Sequence, residues 1–305
     1  MGKIRTKIGC WRRKIFGDDS DKLRALTAKV DSLEFFLKSM YDITKVPKAS
    51  GVLRLIQLAD LVLIKTVADI LGKHGLVYWI ESGTLLGAVR HGGFIPWDDD
   101  ADLGMMRADC AAAARVLADE LCAKGRFRVV RANAIRIGLE GTPCQVDIFP
   151  YDRVGLESRD KRAVDAFLKE KKVLCDKIHY DWSHLDTDWN VIPEFSVEQL
   201  DSMANELCSR FAGPEKLLGY GFEADTGKCG FCIWEDELFP LKPIAFEGLS
   251  FPAPNVPDAW LSAHYGDYMA FPDDIHPHAD IRARISKEGI EEMKRFVDGA
   301  GIQCQ

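Results

Sequence analysis

Four carboxylates fall within five residues in Asp98-Asp99-Asp100-Ala101-Asp102. Acids this close repel one another, so a folded chain tolerates them where water solvates them or where they share a cation. The run follows Pro96-Trp97 and feeds the apolar stretch from Ala101 to Met105, which favours the cation over a solvated surface loop. On a strand, Asp100 and Asp102 point to one face, the placement by which carboxylates hold Mg²⁺ (or Mn²⁺) against substrate phosphates. Asp98 and Asp99 then sit on the preceding turn beside Trp97, as candidate substrate contacts. A third acid, Asp147, lies inside the apolar pattern Val146-Asp147-Ile148-Phe149. Burying it there is costly without a cation or a hydrogen-bond donor. With Asp100 and Asp102 it completes a triad able to hold the ion and to take a proton from an acceptor hydroxyl.

Phosphoryl chemistry also needs a cradle. Ser82-Gly83-Thr84 lies between a strand pattern and a helix pattern, where glycine admits close backbone approach and the free N–H groups of a helix start receive phosphate oxygens. Arg90 and His91 close that helix and are candidates for the donor's phosphates, or a plain C-terminal cap.

The elements that position these residues can be read from periodicity. Leu53 to Leu71 is helical, with Gly72 and Gly75 at its end, and Leu76 to Ile80 reads as a buried strand. Thr84 to Arg90 and Ala108 to Ala123 read as helices, and Ala101 to Met105, Phe127 to Val130, Ile135 to Leu139 and Gln145 to Phe149 as strands. Strands alternating with helices make the class α/β or α+β. Asp160 to Lys177 is a charged helix, and the remainder reads as irregular.

Upstream, residues 1–17 carry six Lys and Arg and no acid, with Ile4, Ile8, Trp11 and Ile15 on one stripe. Such a cationic helix suits an anionic membrane surface, or is a basic tail. Within residues 18–46, Leu23, Leu26, Val30, Leu33, Leu37 and Met40 step by three and four, a short heptad pattern that pairs two chains over 23–40 or folds back on the catalytic domain. Val46 to Gly51 reads as a boundary, followed by a catalytic domain over 52–275 and a tail over 276–305.

A formal net charge of −7 argues against a general nucleic-acid binder, and 47% hydrophobic residues against disorder. No stretch is long and apolar enough to span a bilayer or serve as a secretory signal, so the expected place is cytoplasmic, peripheral on the inner membrane face. Nine irregularly placed cysteines suit a reducing compartment, and the single pair Cys229 and Cys232 is weak evidence for a metal. Tyr180, Trp182, His184 and Trp189 are a candidate sugar platform or a packed loop, and His276-Pro277-His278 reads as an exposed turn.

The stretch from Gly83 through His91-Gly92-Gly93-Phe94-Ile95-Pro96-Trp97 to Asp102 resembles the signature of the LicD-type phosphocholine transferase family, whose animal relatives include fukutin and fukutin-related protein. The likeness extends to Val146-Asp147-Ile148-Phe149-Pro150, Leu238-Phe239-Pro240, Phe246-Glu247-Gly248 and Tyr265-Gly266-Asp267-Tyr268-Met269. It implies a nucleotidyltransferase-like α+β fold, a mixed sheet flanked by helices, here with an N-terminal helical extension. It also implies a divalent metal on Asp100, Asp102 and Asp147, and a CDP-alcohol donor: CDP-choline first, then CDP-ribitol or CDP-glycerol. The acceptor would be a glycan hydroxyl and CMP the product. Ala101 departs from the larger aliphatic residue expected between the aspartates, and the first forty-five residues have no counterpart in the resemblance. Two rival readings are a nucleotidyltransferase that uses an NTP and a non-catalytic membrane scaffold.

Overall fold

A computed structural model describes residues 22–178, 195–224, 230–272 and 285–301. The basic segment 1–17, Cys229, His276-Pro277-His278 and the aromatics Tyr180, Trp182, His184 and Trp189 lie outside the described residues. Of those described, 22–46 with 269–272 form one compact unit, and 47–268 with 285–301 form another.

The first unit holds helix α1, residues 22–40, and a 3₁₀ turn over Ile43–Lys45 capped by the Asp42 carboxylate, which accepts from the Thr44 N–H at 3.0 Å.

The second unit is built on a seven-stranded mixed sheet. Its strands are β1 (Tyr78–Ile80), β2 (Ala101–Met106), β3 (Phe127–Arg131), β4 (Ile135–Leu139), β5 (Gln145–Leu156), β6 (Glu215–Tyr220) and β7 (Cys232–Trp234). β5 is the spine. Its first half pairs in parallel with β2 and antiparallel with β4, and its second half pairs antiparallel with β6. Helices α2 (Gly51–Lys73), α3 (Ser82–His91), α4 (Arg107–Leu121), α5 (Lys161–Cys175) and α6 (Val197–Ser209) flank the sheet. After β7 come α7 (Glu235–Leu238), the hairpin β8 (Lys242–Phe246) and β9 (Leu249–Ala253), α8 (Pro257–Tyr265) and α9 (Lys287–Gly299).

Two expectations need correction. β5 runs to Leu156 rather than stopping at Phe149, because the charge that breaks its apolar pattern, Asp152, is neutralised in place: the Arg107 Nε donates to Asp152 Oδ1 at 2.6 Å. The same guanidinium reaches Glu223 and Asp201, so one buried cation at the start of α4 ties β5, α6 and the end of β6 together. The described residues from 195 onward also include regular helices and strands. Glu215–Tyr220 carries too little local alternation to declare itself, and its strand character comes from pairing with the second half of β5.

Helix α2 bears most directly on the acids. It is apolar nearly all round, with Ile56, Leu63, Ile64, Val67 and Leu71 fully buried, as expected of a helix packed on several sides. Yet Arg54, Gln57 and Asp60 are polar at three-residue steps, which puts them on one face, and Gln57 and Asp60 are themselves buried. Each has a job. The Arg54 guanidinium donates to both oxygens of Glu247, at 3.0 and 2.8 Å. The Gln57 amide donates to the carbonyls of Ile95 and Asp98, at 3.1 and 3.0 Å. The Asp60 carboxylate accepts the Gln145 N–H at 2.9 Å, at the start of β5.

Glu247 completes the clasp. It sits in the left-handed backbone region (φ 48°), which costs a residue with a side chain about 1–3 kcal/mol unless its surroundings hold it there. They do: besides Arg54, its carboxylate accepts from Lys48 at 3.0 Å and from the Phe94 N–H at 3.2 Å, and its own N–H donates to the Gly92 carbonyl at 2.9 Å. The loop before the acids is thereby fastened at Gly92, Phe94, Ile95 and Asp98. Glu247→Ala removes the carboxylate that, among the described residues, pairs with Arg54, whose side chain is 14% exposed, and should cost about 3 kcal/mol. Urea unfolding would show it as a lower midpoint with an unchanged slope.

Candidate active site

β2 and β5 run parallel with Asp102 directly opposite Asp147, so the two carboxylates leave the same face of the sheet on adjacent strands. Asp100, two residues before Asp102, approaches from the same edge. Asp102 is held by its backbone: its N–H donates to the Thr84 hydroxyl at 2.8 Å and its carbonyl accepts the Glu81 N–H at 3.2 Å. Asp147 is held by its side chain, with Oδ1 accepting from the Gln145 amide at 3.0 Å and Oδ2 lying 3.5 Å from the Arg136 guanidinium.

Asp98, Asp99 and Asp100 follow the Pro96-Trp97 turn, and each offers an oxygen within 4.8 Å of the others. At 7% relative exposure, Asp98 and Asp99 are not a solvated loop. Among the described residues these three acids converge within that distance, and the group starts at Asp98, next to Trp97, whereas the expected triad was Asp100, Asp102 and Asp147.

The acids act on one another. Burial pushes the Asp102 carboxyl well above the ordinary range, and the negative fields of Asp100, Asp147 and Glu81 push it further. Asp147 is raised to about 6 by burial, with Arg136 pulling it back and Asp100 adding to the rise. Asp60 is also raised well above its usual value by burial and then by Asp100, and its Oδ2 is buried with no hydrogen-bond partner. Glu81 rises to about 8 through burial. The Tyr151 and Tyr220 hydroxyls and the Trp79 indole stand beside it, but none meets it in hydrogen-bond geometry. An all-oxygen, over-acidic set with an orphaned buried oxygen fits a hard divalent cation.

The turn before α3 is pressed against this group. A side chain at Gly83 would run into the Asp98 carboxylate, and one at Gly87 would strike the Gly93 carbonyl, so the signature's glycines let helix and acidic loop lie in contact. Ser82 has a positive φ of 47°, and its hydroxyl shares a 3.0 Å hydrogen bond with the Tyr220 hydroxyl. Thr84 is buried and braces Asp102. Both hydroxyls of the expected phosphate cradle therefore have local partners. At the other end of α3, Arg90 donates to the Tyr268 carbonyl at 2.8 Å and lies 5.7 Å over the Trp97 ring, which His91 also faces. Burial lowers Arg90 to about 10, with Tyr265 and Asp98 opposing the fall. It is the cation of α3 that reaches the acidic loop.

Sequence reasoning missed Arg54, Gln57, Asp60, Glu81 and Arg136. For three of them a signal existed in the three-residue steps of polar residues through the otherwise apolar α2. Glu81 and Arg136 had none, because their part depends on strand neighbours distant in the chain.

With this geometry in place, similarity to known proteins is informative. An uncharacterized protein of Rickettsia prowazekii (strain Madrid E) is 60% identical over 47 residues, 15% of this chain and 18% of the relative. The lipopolysaccharide cholinephosphotransferase LicD of Haemophilus influenzae is 24% identical over 241 residues, 68% of this chain and 88% of the relative. Human ribitol 5-phosphate transferase FKRP is 35% identical over 102 residues, 31% of this chain and 21% of the relative. The chain thus spans about a fifth or less of the first and the last of these proteins. The profile of the LicD/FKTN/FKRP nucleotidyltransferase domain matches residues 75–177, the stretch from just before β1 through α5 that contains Ser82 to Asp102 and Asp147. Over residues 75–177 the chain is thus similar to the nucleotidyltransferase domain of the LicD/FKTN/FKRP family.

Proposed function

We propose that this chain is a divalent-metal-dependent phosphotransferase that moves a phospho-alcohol from a CDP-activated donor to a glycan hydroxyl and releases CMP. Phosphocholine is the first choice, by similarity to the Haemophilus relative, and ribitol phosphate the second, by similarity to FKRP. The observation that carries the reading is the in-register pair Asp102 and Asp147 beside Asp100, both carboxyls raised by burial and by the neighbouring acids.

Asp100, Asp102 and Asp147 would hold the ion, Mg²⁺ or Mn²⁺, with Asp98 and Asp99 at its margin. Bound there, the ion supplies charge neutralisation for the pyrophosphate. The chain's own residues do the rest. Arg90 and the N–H groups at the start of α3 meet donor phosphates, because the Ser82 and Thr84 hydroxyls are engaged elsewhere. Asp147, steadied by Gln145 and Arg136, accepts the acceptor's proton as its oxygen attacks the phosphorus bearing the alcohol. The phosphorus–oxygen bond to CMP breaks, and CMP leaves with the electron pair. For a choline headgroup, Trp97 is the aromatic face nearest Arg90, whereas Trp79 is sealed in the core. The cationic segment 1–17 favours an acceptor at an anionic membrane surface. Among the described residues no helix is long and apolar enough to cross a membrane.

CDP-choline, CDP-ribitol, CDP-glycerol and CDP-ethanolamine, each with Mg²⁺ or Mn²⁺ and with a chelator, should separate the alcohols by CMP release. Release of pyrophosphate from CTP, with no CMP from any CDP-alcohol, would replace this reading by nucleotidyl transfer. Asp102→Asn and Asp147→Asn should each lower turnover on the order of 10³-fold while the protein remains folded, checked by circular dichroism.

A stability profile tests the charge balance. Glu81 and Asp147 keep their protons to about pH 8 and about pH 6 in the folded chain, well above where the unfolded chain loses them. The folded state therefore binds more protons between pH 4 and 8, and metal-free stability should fall as pH rises through that window. Thermal melts should show Mg²⁺ raising the midpoint more at pH 8 than at pH 5, and no metal effect in Asp102→Asn.

A further inference from the structure

Helix α1 presents an apolar row to solvent. Leu23, Leu26, Val30, Leu33, Leu37 and Met40 are between 37% and 69% exposed. A lone helix of this length is marginal in water, and exposed apolar rows of this extent mark interaction surfaces. The row steps by three and four, which makes Leu23, Val30 and Leu37 the a positions and Leu26, Leu33 and Met40 the d positions of a heptad. A β-branched residue at a with leucine at d suits two parallel strands, and Val30 lies between Leu26 and Leu33 in that arrangement.

The flanking positions select the partner and its direction. Lys29 falls at g and Glu34 at the following e, five residues on, a separation that no pair within one helix bridges. In a parallel pair of identical helices, Lys29 of each meets Glu34 of the other, twice by symmetry. Phe36 at g packs instead on Tyr41 of its own chain, just past the helix end, with ring centroids 5.9 Å apart. An antiparallel pair sets g against g and loses the Lys29–Glu34 match. A lipid surface is less well suited, because Asp31 and Glu34 interrupt the polar face that anionic headgroups would need.

We propose that α1 is the dimerisation element of this protein, a parallel two-stranded coiled coil with a second copy of the chain through residues 22–40. The inference is independent of the transferase reading, since it uses no residue of the acidic site.

Light scattering on the full chain at tens of micromolar should give twice the 34.2 kDa chain mass. Leu33→Lys places a charge in the seam on an exposed side chain and should give the single-chain mass with unchanged donor turnover. Lys29→Glu and Glu34→Lys should each raise the dimer dissociation constant about tenfold, while a mixture of the two, or the double reversal in one chain, restores it. A wild-type monomer at this concentration, a trimer, or charge reversals that the mixture fails to rescue would overturn the proposal. So would a monomeric chain that floats with phosphatidylserine vesicles and loses that binding in Leu33→Lys.

Discussion

Mutual repulsion among buried carboxylates is the constraint around which this chain is arranged. Asp98, Asp99, Asp100, Asp102, Asp147, Asp60 and Glu81 feel one another through a poorly hydrated interior, with Arg136 beside Asp147 and Arg90 near Asp98 opposing them. A set like this would fly apart on a flexible loop. Here it is spread over two paired strands, a clasped turn and a buried helix, each fastened by hydrogen bonds to backbone atoms that carry no charge themselves. Burying like charges side by side costs stability, a cost that the proposed cation would relieve.

The supports come from both sides of the matched domain. α2 precedes it and supplies Arg54, Gln57 and Asp60, while the β8–β9 hairpin follows it and supplies Glu247. Fixing Gly92, Phe94, Ile95 and Asp98 through four hydrogen bonds, from Gln57 and Glu247, leaves the acidic loop little freedom to relax away from its neighbours. Preorganisation of this kind matters where charge develops during reaction, because groups already in place need not reorganise. Arg107 does a comparable task on the second half of β5, where it offsets Asp152 and Glu223 beside the pairing of the spine strand with β6.

Much of this was legible in local order. The glycines at 83 and 87, the Pro-Trp turn and the alternation of Asp100 with Asp102 each state a short-range requirement: close backbone approach, chain reversal, a shared face. Short-range requirements survive in a linear string. Helices α2 to α5 and strands β2 to β5 were likewise readable from period, with β5 too short because its charged half has a distant partner. The region from α6 to α8 was not readable, since its strands draw their stability from pairing and its helices from capping and burial against elements far along the chain.

The sequence by itself determined the acids, the glycine-bearing turn and the apolar row of α1, because residue type and spacing suffice for each. Tertiary structure decided which acids meet. The register that sets Asp102 beside Asp147, the insertion of Asp60 from α2 and the burial that raises Glu81 all depend on contacts between residues tens of positions apart, and the strength of a charge's effect depends on the water excluded around it. The same holds for Thr84 and Ser82. Their types announce a phosphate cradle, but their hydroxyls find partners in Asp102 and Tyr220, and only the folded chain brings those partners within reach.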